Sequence, residues 1–518
     1  MGFLSFKFIV FIAAVFGVYF VVPKRFQWLV LLLFSYVYYY LCSHKLILVL
    51  IGESLFVYAI GRWLNTINEQ IKTVGSDKDA KQKSLDKRKS ILSFGTIAVL
   101  GVLILIKYSD FFIENFNYLI NGNISFLHLA LPLGISFYTL QAISYMNDVA
   151  KKKCECEMNP LHFLLYMSYF PQIIQGPIPR FSKLGKQLFE EHEWDYVRIT
   201  HGLQLMFWGI AKKAIIADRI GIPVRYFFEN YGKFHGFASL LGAVCYGFQI
   251  YADFSGGIDT IKGISEVFGI YLDDNFRQPF FSKSVEEFWR RWHITLGSWM
   301  KDYVFYPLSL SKSFSKISKF ARKNMGDRFG KKVAPCLAMF IVYFLVGFWH
   351  GADWKYVIYG IWNGLFIMSG IFFENEYKEG LAKLKINPES KAWNLFRIIR
   401  TFLICSIGRV ISRSDSIIAA LHIIRSVFRD FFDISYLNGE LLAELGLNLK
   451  NWILLVFAIL IVLYIDYLKE KGINVRENIA KKHIVIRWSL YLILVISILV
   501  FGLYGGEYDA SSFIYGKF

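Results

Sequence analysis

Charge is scarce in this chain, and the signatures of soluble catalysis are missing. Only 19% of its 518 residues are charged and 55% are hydrophobic, less charge than a soluble protein of this size carries. There is no Walker loop, no G-x-G-x-x-G and no H-E-x-x-H, which excludes the common nucleotide-cradling loops and zinc-protease helices. A nucleophile elbow is absent too, since Gly134-Ile135-Ser136-Phe137-Tyr138 fails at its last position. Six cysteines are scattered, and Cys154-Glu155-Cys156 has no second pair to complete a zinc site. Neither a metal nor a disulfide framework is expected. Glu190-Glu191-His192-Glu193 reads as an acidic surface loop. No linker, composition shift or internal repeat divides the chain, so a single membrane domain over 1–518 is expected, and inverted-repeat transporters gain no support.

What is present is apolar length. Runs suited to spanning helices recur at 3–22, 27–43, 45–62, 91–107, 124–146, 202–217, 237–254, 335–350, 354–373, 398–411, 452–468 and 488–504. Segments 161–176 and 295–309 are shorter or interrupted and read as re-entrant or interfacial. The first run reads as a span, because Val21-Val22-Pro23 is a poor cleavage site. The predicted class is an all-α, multi-pass protein of the cytoplasmic membrane with the lipid bilayer as its partner. Net charge is +18, concentrated in 63–90, in Lys151-Lys152-Lys153 and in 311–333, where eight basic residues face Asp327 alone. The positive-inside rule explains these basic loops better than nucleic acid does, and places 63–90 and 311–333 in the cytoplasm. No nucleic-acid partner is expected. Segment 412–450 is amphipathic and reads as an extracytoplasmic or interfacial excursion.

The middle third is more polar. Pro and Gly break the apolar pattern at Leu131–Tyr138 and again at Phe170–Arg180, which includes Gln175. Non-helical backbone at membrane depth is tolerated only when buried in protein or lining a cavity. Tyr251–Asp259 places Asp253, Ser255 and Asp259 at the end of an apolar run, either orienting partners inside a cavity or capping a helix end. Segment 284–303 predicts one amphipathic helix. Ser284 and Glu287 form a capping box, Phe288, Trp292, Trp299 and Tyr303 share a face, and Glu286, Arg290, His293 and Gly297 form a neighbouring stripe. An interfacial helix with aromatic anchors and solvated Arg290 and Arg291 explains all of this except His293. Finally, Ile341–Trp354 delivers His350 at the end of an apolar run. Residues 334–350 rise roughly 25 Å as a helix, which places the imidazole below the far membrane surface. An ionisable group at that depth usually marks function, and imidazole moves protons near neutral pH.

These residues carry a family resemblance. Phe288-Trp289-Arg290-Arg291-Trp292-His293, then Asp302-Tyr303 and Pro307, then Gly347-Phe348-Trp349-His350-Gly351 resemble the membrane-bound O-acyltransferase family. The resemblance extends to Leu131–Tyr138, Phe170–Arg180, Tyr251–Asp259 and Asn275–Pro279. It reaches Phe513-Ile514-Tyr515, which is similar to the end of the alginate O-acetylation branch, with teichoic-acid D-alanylation subunits as relatives. One departure is Ile407-Gly408-Arg409-Val410, where alginate-type members usually carry tryptophan in place of Arg409. The resemblance implies a ring of roughly 11–14 transmembrane and re-entrant helices around a central channel. It implies His350 as the catalytic histidine and His293, 57 positions earlier, as the second. It also implies a cytoplasmic acyl thioester donor (acetyl-CoA or an acyl carrier protein), no bound cofactor, and an extracytoplasmic hydrolase-like partner. Trp349 would help wall off water, and Arg290 and Arg291 would meet donor phosphates or snorkel to lipid headgroups. Asp253, Ser255, Asp259 and Gln175 become channel-lining candidates. A D-alanyl transfer subunit, or a non-enzymatic channel or flippase, remains open at this point.

Overall fold

The computed structural model describes residues 5–74, 77–173, 175–429, 431–432 and 439–503. Leu437-Asn438 and Phe513-Ile514-Tyr515 fall outside them. Two compact groups of helices share the chain, one built from residues up to Met206 with Gly257–Asp273, the other from Phe207–Gly256 with Asp274 onward. In chain order the helices are α1 (Phe6–Val21), α2 (Gln27–Ser43), α3 (Ile47–Thr73), α4 (Lys78–Leu103), α5 (Ser109–Ile120), α6 (Ile135–Ala150), α7 (Pro160–Ser168), α8 (Phe181–Phe189) and α9 (Tyr196–Ala211). Next come α10 (Asp218–Glu229), α11 (Gly236–Val267), α12 (Val285–Arg291), α13 (Ile294–Met300), α14 (Tyr306–Ser309), α15 (Lys312–His350) and α16 (Trp354–Phe372). The last are α17 (Glu374–Lys383), α18 (Lys391–Arg413), α19 (Ile417–Phe428), α20 (Gly439–Glu444), α21 (Leu449–Glu470), α22 (Val475–Ala480) and α23 (Ile484–Phe501). Short polar residues start many of them. Asp77, Ser311, Asp353, Ser390 and Asn448 each accept a bond from a first-turn N–H, satisfying donors the helix cannot.

The all-α class holds, with one isolated bridge, Phe276 to Trp292, among the described residues. The number of full-length apolar helices is lower than the sequence predicts. Among the described residues, five stretches are long and apolar enough to cross a membrane: Lys24–Thr73, Lys78–Ile120, Lys312–His350, Leu449–Glu470 and Ile484–Phe501. A sixth arises if α16 and α17, bent by 64°, form one span. Run 124–146 is helical only from Ile135, and α1 and α19 are short. Segment 63–90 includes the end of α3 and the start of α4. The basic segment 311–333 is helical as well, a correction to the loop predicted there. Lysine, arginine and alanine favour helix, and the chain leaves helical geometry only at Gly326, at φ 70°. A Cβ on Gly330 would lie 2.5 Å from Arg322 Cα, so the two halves fold back on each other with Phe314 against Ala334 and Ala338.

In the first group, α3, α4 and α6 approach closely through small residues. A Cβ on Gly61 would sit 2.7 Å from the Tyr145 ring, and one on Gly95 2.8 Å from Met146 Sδ. The two backbone breaks read from the sequence meet each other here. Gly134, at φ 72°, lies so close to Ile173 that a Cβ would be 2.1 Å from the Ile173 carbonyl oxygen. Buried amides stitch the region together, with Gln141 Nε2 donating to Tyr166 O at 2.6 Å and Gln172 Nε2 to Gln141 Oε1 at 3.0 Å. The irregular backbone at 175–179 is thus enclosed by protein, as an apolar surround requires, whereas the non-helical residues 123–131 are exposed.

Candidate active site

The second group builds the site from α11, α12, α13, α15 and α16. α15 and α16 form a tight pair. A Cβ on Gly347 would lie 2.4 Å from Tyr356 O, and one on Gly360 2.3 Å from Tyr343 O. Small residues at a helix crossing permit this approach. His350 is the last residue of α15 and is buried. Asp353 then caps α16, accepting from Lys355 N at 2.9 Å, so the polypeptide turns sharply just beyond the imidazole.

His293 is positioned differently from the expected helical stripe. The predicted helix over 284–303 breaks at Trp292-His293. Trp292 is extended and His293 takes a left-handed conformation, φ 49° and ψ 51°. Such a φ is uncommon for a residue other than glycine and persists only where the surroundings enforce it. Asn275 does so. Its Oδ1 accepts from Thr295 N at 3.0 Å and from Thr295 Oγ1 at 2.6 Å, and its carbonyl accepts from Ile294 N at 3.1 Å. Arg277 N donates to Arg291 O on the other side of the bridge. The capping bond from Glu287 N to Ser284 Oγ forms at 3.1 Å as expected. Ring stacking across Phe288 and Trp292 survives at 5.3 Å although the continuous helix does not.

The Trp349 ring lies close to both histidines, its centroid 5.9 Å from His293 and 5.1 Å from His350. Phe254 of α11 packs edge-on to His293 at 5.0 Å. His293 lies outside the long apolar spans, and burial, reinforced by the neighbouring His350, holds its pKa well below the ordinary imidazole value. A cavity of about 830 Å³ opens onto His293, with Trp289, Arg290, Arg291, Lys301 and Tyr343 in its wall. His350 is not part of that wall. Arg290 is exposed and pairs with Glu286 at 3.1 Å, whereas Arg291 is held by Glu287 at 2.7 Å and Glu470 at 2.6 Å. Arg291 is therefore tied into the scaffold and Arg290 is the more available cation.

Asp253 and Ser255 are fully inside α11, which corrects the helix-capping alternative. Lys213 Nζ reaches Asp253 Oδ1 at 2.6 Å and Asp218 Oδ1 at 2.8 Å, and Lys212 Nζ donates to Ser255 Oγ at 2.9 Å. These lysines follow an apolar run in the sequence, and their place among hydrophobic residues was the available signal. Gln175 and Asp259 belong to the first group. Gln175 is buried with no hydrogen-bond partner for its amide among the described residues, and Asp259 is half-buried. Arg409, which stands where alginate-type members usually carry tryptophan, is buried with its guanidinium 4.9 Å from Trp292, 5.0 Å from Phe288 and 5.8 Å from Phe280. A planar, weakly hydrated cation suits such an aromatic box. It braces the residue preceding His293.

The structure thus gathers two buried imidazoles around one indole in a helical membrane protein, with a cavity at His293. Sequence comparison gives this protein its family. The chain belongs to the membrane-bound O-acyltransferases, whose family model matches residues 157–412, and it is an O-acyltransferase. It is 30% identical to the probable alginate O-acetylase AlgI of Pseudomonas aeruginosa over 469 residues, 89% of this chain and 82% of that protein. It is 31% identical to the peptidoglycan O-acetyltransferase of Helicobacter pylori over 65% of this chain and 64% of that protein. The teichoic acid D-alanyltransferase of Bacillus subtilis is 31% identical over 52% of this chain and 65% of its own.

Proposed function

We propose that this chain carries an acetyl group from a cytoplasmic thioester, acetyl-CoA or an acetylated carrier protein, towards a hydroxyl of an extracytoplasmic envelope polysaccharide. The observation that carries this reading is a pair of buried histidines, both within 6 Å of the Trp349 ring, one of which, His293, lines a cavity. A cavity of this size accepts a ligand the size of a thioester arm, and the exposed Arg290 and Lys301 suit donor phosphates. The acetylase names of the relatives support acetyl as the group.

In the proposed step the acceptor oxygen attacks the thioester carbonyl carbon, and the C–S bond breaks as the C–O ester bond forms. A neutral imidazole takes the hydroxyl proton and returns it to the departing thiolate. We assign the proton to His350 and donor positioning to His293. General-base help of this kind typically contributes ~10²–10⁴-fold. Trp349, Phe254 and Tyr343 keep water from the thioester. The polymer hydroxyl is reached directly or through an extracytoplasmic hydrolase-like partner at the outer face of the cytoplasmic membrane.

The Bacillus subtilis relative favours one second reading, transfer of D-alanyl groups from a carrier protein. Mass spectrometry of envelope polymers from cells with and without the chain separates the two. Acetyl esters should disappear on deletion and return with the wild-type chain. Loss of D-alanyl esters with acetyl esters unchanged would overturn the acetyl assignment.

A further inference from the structure

The second helix group holds another hollow, about 910 Å³, away from the histidines. It lies where α16 ends and the chain bends by 64° into α17. One wall is apolar, formed by Phe366, Ile367, Phe373, Leu381, Ile386 and Ile404. The rim is charged, with Lys283, Lys378, Arg397 and Arg400 against Glu286, Glu374 and Glu389. Two of these acids are already neutralised. Glu374 pairs with Lys378 at 2.6 Å, and Glu286 pairs with Arg290 at 3.1 Å. Lys283, Arg397 and Arg400 are left facing Glu389, a positive balance. Arg400 Nη2 donates to Lys283 O at 3.1 Å, while the buried Nε atoms of Arg397 and Arg400 have no hydrogen-bond partner among the described residues.

The surroundings fit the edge of a bilayer. Phe373, Tyr377 and Leu384 are exposed on a segment that also carries Lys378, Lys383 and Lys385. Large apolar side chains alternating with lysines on a surface helix are the pattern of an element lying in the membrane interface. Basic pockets between spanning helices bind anionic lipid headgroups, and guanidinium groups match phosphate oxygens. Apolar wall and basic rim together require a ligand with both a negative phosphate and a hydrocarbon tail.

We infer that the hollow between the end of α16, α17 and the first half of α18 binds an anionic phospholipid, its phosphate on Arg397 and Arg400 and an acyl chain against Phe366 and Ile404. Neither histidine is in its wall, although Glu286 lines both this hollow and the cavity at His293.

Native mass spectrometry of the full chain in detergent, titrated with phosphatidylglycerol or phosphatidylcholine, tests it. One phosphatidylglycerol should be retained per chain at concentrations at least tenfold below those needed for phosphatidylcholine. Arg397→Gln should remove that preference. Leu381→Trp, which fills the apolar wall and leaves the rim charges in place, should weaken both lipids. A melting curve for each variant reports its fold, and either folded variant decides the question. Equal retention of the two lipids, or an unchanged preference in folded Arg397→Gln, would overturn the site. So would displacement of the lipid by millimolar inorganic phosphate, which would mark a receptor for soluble phosphates.

Discussion

His293 is a neutral imidazole held in a left-handed turn by Asn275. Two measurable consequences belong to these residues. Folded, the ring remains neutral below the usual imidazole range, whereas in the unfolded chain it takes up a proton near the ordinary imidazole value of about 6.5. The unfolded state therefore binds more protons as pH falls below about 6.5, and stability declines by up to about 1.4 kcal/mol per pH unit from this group. Melting temperatures of purified protein at pH 7.5 and 5.5 should show the loss, and His293→Gln should reduce it. Equal slopes in the two proteins would contradict the buried, neutral assignment. Asn275→Ala removes the acceptor for two Thr295 bonds and should destabilise by about 1–3 kcal/mol for each buried donor left unsatisfied. Asn275→Asp keeps the acceptor and should retain more activity, read as transfer rate at matched folded protein.

The histidines themselves were legible from residue type and position. The turn that aims His293 was not. The periodicity of Phe288, Trp292, Trp299 and Tyr303 reads as one helix because aromatic spacing is blind to a single residue with positive φ. Asn275 lies 18 positions away, so its bonds to Ile294 and Thr295 leave no local mark. Arg409 shows the same limit, since only the folded chain reveals the three aromatic rings around its guanidinium.

Among the helices, the contact that fixes His350 is the crossing of α15 and α16 at Gly347 and Gly360. Gly360→Val would drive a side chain into Tyr343 O and should cost roughly 1–3 kcal/mol or more, with transfer activity falling more than tenfold. Gly370 lies on the same helix, and a Cβ there would meet nothing within 4 Å, so Gly370→Ala should leave melting temperature and activity unchanged. Comparable losses in both would show that the crossing is not special. The buried Lys213 between Asp253 and Asp218 is a second pin, tying α11 to the π-helical stretch Lys212–Ala217 and the first residue of α10. Lys213→Met would strand two buried carboxylates and should destabilise by about 3–5 kcal/mol, measured as loss of folded protein in detergent, while adding Asp253→Asn should recover part of it. Helix existence was readable at this scale from apolar runs and capping residues. Helix length was not, because 124–134 and 169–180 combine apolar composition with Pro and Gly, and because lysine-rich 311–333 satisfies helix propensity as well as it does loop polarity.

For the whole molecule, the family resemblance and the all-α membrane fold were legible from a few features of the sequence. These are the Trp-Arg-Arg-Trp-His segment, the Phe-Trp-His-Gly segment and the recurrent apolar runs. The acceptor polymer leaves no comparable trace, because relatives of similar identity bear names for alginate, peptidoglycan and teichoic acid. The proposed chemistry nevertheless makes one demand of every acceptor, a base at His350 within reach of the attacking hydroxyl. The direct measurement is single-turnover acyl transfer by purified wild type and His350→Ala, compared at equal folded protein with a radiolabelled acetyl thioester. His350→Ala should bind the donor with near-normal affinity and transfer at least a hundredfold more slowly. Transfer at the wild-type rate by a folded His350→Ala protein would contradict the assignment of the base.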